Sequence, residues 1–296
     1  MPAKMPIRVV LAAFLAAGSL AFMAEAQSRI GLQPASVELE MAPGQPMRQV
    51  VTVANMDTAR PVSVSLSLAD WSYDAAGAPV FVAAGETDTS ATGWARYGAP
   101  TISLAPGQSK QVVVSLSTPQ QLARPGDYRL ALLASSVVKD EAGSWQKHQI
   151  ASLFSLTAGD ASSRPKITDS RLTVTASGAP AIGLDFANSG NAHARLEGVI
   201  EIRSEGETVL TQTLSDVIVP ENGTRSLLVP LDQALPADPE IEIRLTNLFS
   251  PQSKSGEKAL PVHKVKTGDE IEAEAPAKAA PVTEVADLSL PVGGLN

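Results

Sequence analysis

The residues able to do acid–base or metal chemistry are few in this chain and stand apart. Its three histidines, His148, His193 and His263, show neither H-x-x-x-H nor H-x-H spacing, so the sequence places no two imidazoles to share a metal ion. His193 follows Asn191 in a polar segment that reads as a turn, with its ring in solvent. Asp70 and Asp74 flank Trp71 and Tyr73. Carboxylates beside aromatic rings suit calcium or a sugar, and they equally suit the polar end of a strand; their spacing matches no cation loop. Cysteine is absent, which removes thiolate ligands, cysteine nucleophiles and disulfides together. No G-x-S-x-G elbow, phosphate-binding loop or dinucleotide fingerprint occurs. The expectation is a protein with no catalytic, cofactor-binding or metal-binding residues. A glycan-acting enzyme working through Asp70 and Asp74 stands only as a rival to be tested.

Composition narrows the partners. Lys4 and Arg8 precede an apolar run from Val9 to Met23, and Ala24-Glu25-Ala26 supplies an A-x-A cleavage site. Residues 1–26 are therefore expected to be a secretory signal peptide, since a membrane anchor would need about 20 apolar residues and a stop-transfer flank. The full chain carries a formal net charge of −8, and losing Lys4, Arg8 and Glu25 with the leader takes it to −9. An acidic chain with no Lys/Arg cluster repels a phosphate backbone, so nucleic acid is excluded as a partner. The expected location is the periplasm or cell surface, reached through the Sec pathway. No membrane span is expected after cleavage.

The elements that would hold any site are strands. Val37, Leu39 and Met41 alternate with Ser36, Glu38 and Glu40; Val62, Val64, Leu66 and Leu68 alternate with Ser63, Ser65 and Ser67. This period of two marks a strand with one buried face. Turn signals at Pro43-Gly44, Ala75 to Pro79, Pro106-Gly107 and Pro125-Gly126 separate runs that return every 10 to 15 residues, a spacing that suits a sandwich. Tyr128, just after a turn, stands where such folds place a tyrosine corner. Ile150 to Leu156 closes a first domain at 27–158. Gly159 to Pro165 reads as the boundary, and a second set of alternating runs fills 163–250. The fold class expected is all-β: two immunoglobulin-like β-sandwiches in tandem. Past Ser250 the period stops among prolines, alanines and glutamates, so 251–296 is expected to be a disordered tail. Within it, Leu288 to Val292 is a short apolar piece that reads as a frayed terminus or as a docking segment.

With these residues laid out, the chain resembles the PapD-like periplasmic pilus chaperones and their wider kin. The likeness is carried by Gly31-Leu32 entering a strand, Pro43-Gly44-Gln45 before a valine-rich strand ending at Asn55, and Trp71 after a long strand. Leu104-Ala105-Pro106-Gly107-Gln108 and Pro125-Gly126-Asp127-Tyr128 add to it, as does Phe186 to His193 in the second half. The resemblance implies that an edge strand lends alternating apolar side chains to an incomplete pilin-like subunit. The position-matched segment is 150–156, with Ile150, Phe154 and Leu156 on one face and Ser152 between them. An ordinary core strand closing the first sandwich fits the same residues. The family also grips a terminal carboxylate with Arg and Lys; at the matching positions this chain has Ser36 and Ser152, and the nearby Arg29 and Lys147 lie off register.

The function expected from the resemblance is a chaperone-like one, assisting assembly or secretion of a fimbrial or surface subunit by edge-strand complementation. The alternative is a structural or adhesive envelope protein, whose modules bind a surface partner, peptidoglycan or the outer membrane.

Overall fold

The computed structural model describes residues 30–139, 144–236, 238–249 and 258–265. The expected signal peptide at 1–26, Arg29 and the apolar piece at 288–292 lie outside the described residues.

Alternating sequence becomes alternating burial. In the first unit the strands are β1 (Ile30–Gln33), β2 (Ser36–Met41), β3 (Pro46–Asn55), β4 (Val62–Tyr73), β5 (Pro79–Ala83), β6 (Ala95–Tyr97), β7 (Thr101–Leu104), β8 (Ser109–Ser117), β9 (Gly126–Lys139) and β10 (Trp145–Ala158). A short 3₁₀ turn, Thr92–Trp94, precedes β6. One sheet runs β1-β3-β8-β6, and the other runs β2-β10-β9-β4-β5 with β7 also on β4. On β4, Val62, Val64 and Leu66 are buried while Ser63, Ser65 and Ser67 are exposed. Val51, Val53, Val112, Val114 and Leu116 from one sheet meet Val64, Leu66, Leu130, Leu132, Phe154 and Leu156 from the other, forming one core.

The second unit contains β11 (Pro165–Val174), β12 (Pro180–Asn188), β13 (Ala194–Ser204), β14 (Glu207–Val219), β15 (Gly223–Pro230), β16 (Glu240–Asn247), β17 (Lys258–Ala259) and β18 (His263–Val265). Its sheets are β11-β12-β15 and β14-β13-β16-β17, with β18 also on β16. Ile182, Leu184, Phe186, Leu196, Ile200, Ile241 and Ile243 fill a separate core. The architecture is the expected one, two immunoglobulin-like sandwiches in tandem. Among the described residues, no helix is long and apolar enough to cross a membrane.

Two local features tie sequence to geometry. Tyr128 makes a tyrosine corner: its hydroxyl donates to the Arg124 carbonyl at 2.6 Å and accepts from the Arg124 N–H at 3.2 Å. Gly126, with φ of +117°, passes so close to the second unit that a Cβ would lie 2.0 Å from the Asn191 carbonyl oxygen, so only glycine fits.

One reading is corrected. Residues 258–265, expected to belong to a disordered tail, instead form β17 and β18 on the edge of β16. The segment supplies what that edge lacks. Val265 enters the second core, Leu260 packs against it, and Lys264 sits 3.2 Å from Glu242. His263 shares a 2.7 Å hydrogen bond with the Ser170 hydroxyl.

Candidate partner-binding site

The segment singled out as partner-binding divides in two along β10. β9 pairs with β10 over its whole length, whereas β2 covers the opposite edge only from Leu153 to Ala158, in parallel register with Ser36 to Met41. Phe154 and Leu156 are fully buried in the first core. They are core residues behind an edge that β2 covers, the arrangement of a strand closing the sandwich. Ser152 is buried too, and its hydroxyl donates to the Pro34 carbonyl at 2.7 Å, pinning the crossing from β1 to β2. Ile150 is half-buried against the same core.

The uncovered part of β10 lies upstream, at 145–151. The Leu153 N–H donates outward to the Ala35 carbonyl at 2.9 Å, which sets the alternation along the strand. By that alternation the N–H and C=O groups of Lys147, Gln149 and Ala151 face the same side, beyond the end of β2. No strand pairs there among the described residues. Trp145 (67 % exposed) and Val137 (59 % exposed) leave apolar surface beside this edge, with the Lys139 ammonium 4.9 Å from the Trp145 ring centre.

Where β2 and β10 end, a cavity of about 460 Å³ opens between the two units, lined by residues including Glu38, Ser155, Thr157, His193, Arg195 and Phe249. The anchoring charges implied by the resemblance are not in it. Ser36 is exposed and stands opposite Leu153, and Ser152 is occupied by Pro34. The cation present comes from the second unit: Arg195 pairs with Glu38 and, at 2.8 Å, with Asp216.

Behind the cavity the two units are bolted together by buried charge. Asp127, wholly buried, accepts from the His193 backbone N–H at 2.7 Å and from the Thr157 hydroxyl at 2.8 Å, and its carboxylate lies 2.7 Å from His193 Nδ1. Burial alone would raise the Asp127 pKa; the bonds and charge from His193, with Arg129 behind, outweigh it and hold the carboxyl below its ordinary value. Arg129, 4 % exposed, forms a two-pronged pair with Glu221 of the loop before β15, one prong at 2.7 Å. Its guanidinium also lies over the rings of Trp71 and Tyr73, at 5.4 and 5.7 Å. Burial disfavours the Arg129 charge, but Glu221 and Asp127 more than restore it, so its pKa is raised.

Sequence reasoning missed this junction. His193, read as a solvated turn residue, is 5 % exposed and packs at a tilt of 58° against Phe249, with ring centres 4.5 Å apart. Asp70 and Asp74 do not converge. Asp70 is consumed by the Thr87 N–H and hydroxyl and by the Ser90 hydroxyl, at 2.8, 3.0 and 2.6 Å. Burial pushes its pKa up, and these bonds prevail and hold it down. Asp74 instead caps its turn by accepting from the Ala78 N–H. Among the described residues, no group of three or more His, Asp or Glu side chains could hold a metal ion.

No protein-family description matches the chain, and no curated protein matches it either. Among solved structures, the class 5 fimbriae chaperone CfaA is similar at 12 % identity, covering 80 % of this chain and 99 % of that one with a TM-score of 0.44. The periplasmic chaperone SfaE follows at 10 % identity, 78 % and 98 % coverage and a TM-score of 0.38. The Pseudomonas aeruginosa CupB2 chaperone is similar at 8 % identity, 79 % and 100 % coverage and a TM-score of 0.38. The two immunoglobulin-like sandwiches in tandem are read from this chain's own strand order and its two separate cores.

Proposed function

We propose that this is an exported, non-enzymatic chaperone-like protein that holds an extended segment of a surface subunit as an added strand on the upstream half of β10. The observation that carries this reading is the mismatch in length between β10 and β2. β2 spans Ser36–Met41, and among the described residues no strand pairs with the outward-facing backbone of Lys147, Gln149 and Ala151. An unpaired row of N–H and C=O groups templates an incoming strand. Half-buried Ile150 and exposed Trp145 offer apolar contact to its side chains.

Ala151→Pro tests this. The Ala151 N–H points away from β9, so proline there removes a donor from the open edge while sparing the β9 ladder. Co-expression with a surface subunit encoded beside the gene is expected to yield a complex in which amides at 147–151 gain protection from hydrogen exchange. The variant is expected to lose that complex. A complex unchanged in Ala151→Pro, or protection confined to other strands, refutes the reading.

A further inference from the structure

We propose that β5 is a second strand-accepting edge, at the far end of the same sheet from β10, and that it takes an extended apolar segment of another protein flanked by Lys or Arg. β5 is the last strand in the order β2-β10-β9-β4-β5, and all five of its residues are exposed. Val80, Phe81 and Val82 are 44 %, 41 % and 38 % exposed, so both faces of the strand as well as its edge are open to solvent.

The phase of its backbone follows from two bonds. The Asp74 N–H donates to the Ala78 carbonyl at 2.9 Å, and on β4 the Leu66 N–H donates to the Pro100 carbonyl at 2.7 Å, toward the β5 side. Both make Ser72–Val80 and Asp70–Val82 the hydrogen-bonded pairs of the β4–β5 register. The Phe81 N–H and C=O, the Ala83 N–H and the Pro79 C=O therefore face outward. Pro79 sits where its missing N–H costs the β4 ladder nothing.

Edges are ordinarily blunted by lysine, a bulge or a covering loop. β5 has no charged residue, no register shift against β4 and no strand beyond it among the described residues.

Charge selects the occupant. From Pro61 to Ala95 the chain contains no Lys or Arg, while Asp74, Glu86 and Asp88 are exposed at the two ends of β5. Arg225 reaches Gly77 at the Asp74 end, which leaves Glu86 and Asp88 as the dominant field. A second copy added antiparallel about Phe81 would set Asp74 against Asp88 of its partner, like charge on like. A segment with basic flanks meets opposite charge.

The probe is a labelled peptide of alternating valine and threonine with two lysines at each end, titrated into the full chain by fluorescence anisotropy. Binding is expected, about tenfold weaker in Ala83→Pro, which deletes one outward N–H and leaves the β4 pairing intact. Ala151→Pro, on the β10 edge, is expected to bind the peptide like the parent chain, which keeps this site distinct from the one proposed above. The double variant Glu86→Lys/Asp88→Lys is expected to prefer a glutamate-flanked peptide. Circular dichroism of Ala83→Pro identical to the parent shows that a loss is local. Absence of binding, equal affinity for both flanks in the parent, or an unfolded Ala83→Pro whose Phe81→Lys counterpart binds normally overturns the proposal. Sedimentation showing a dimer of the parent chain that Ala83→Pro dissolves would assign the edge to a second copy and overturn it as well.

Discussion

Removing Arg129 leaves the Glu221 carboxylate in a site where it is 7 % exposed, with its two-pronged partner gone. Stranding one member of a buried ion pair costs about 3–5 kcal/mol, whereas replacing both members by apolar side chains of similar volume is often neutral. The expectation is therefore non-additive. Arg129→Met destabilises by about 3–5 kcal/mol, Glu221→Leu by a similar amount, and the double variant recovers to within about 1 kcal/mol of the parent. Part of the recovery has a visible source, because Arg129 Nε is buried with no hydrogen-bond partner and methionine removes that cost. Methionine also keeps contact with the Trp71 and Tyr73 rings that the guanidinium covers. Urea unfolding followed by tryptophan fluorescence measures the three variants, Trp71 reporting from beside the pair. Additive losses in the double variant, or single losses below about 1 kcal/mol, would show that the pair is solvated in solution and that the junction is held by other contacts.

Acid should weaken the same junction. Asp127 has a folded-state pKa below its ordinary value, so its stabilisation is complete above about pH 4 and is lost as pH falls through the depressed folded value. Urea midpoints measured between pH 6 and pH 2 should fall in the parent, and less steeply in Asp127→Asn. Tyr128→Phe should cost about 1–2 kcal/mol by deleting the hydroxyl that ties β9 to Arg124, measured by thermal unfolding, with the near-ultraviolet spectrum otherwise preserved.

Alternation along β2 and β4 was enough to read the sandwich from the residues, because burial on one face leaves a period-two record in side-chain type. The same record on β10 could not say which of its edges was covered. Ile150, Phe154 and Leu156 look alike whether a neighbour lies beside them or not, and the parallel pairing with β2 is a contact across more than a hundred residues. The junction was invisible for a related reason. Asp127 and His193 are 66 residues apart and Arg129 and Glu221 are 92 apart, and a polar side chain buried by a partner that distant carries no local sign of it. Gly126 offered a trace, since its glycine is demanded by the second unit and not by the turn alone. The strands at 258–265 were hidden by the prolines around them, because two-residue and three-residue pairings are too short to show a period.

β9 faces two ways at its start. Tyr128 and Leu130 anchor it in the first core, while Asp127 and Arg129, the residues between and beside them, reach out to His193 and Glu221. The splint joining the two halves is thus a central strand of one of them, not a linker. Swinging the second half away would tug at the interior of the first, so load applied to either half is borne by the middle of a sheet.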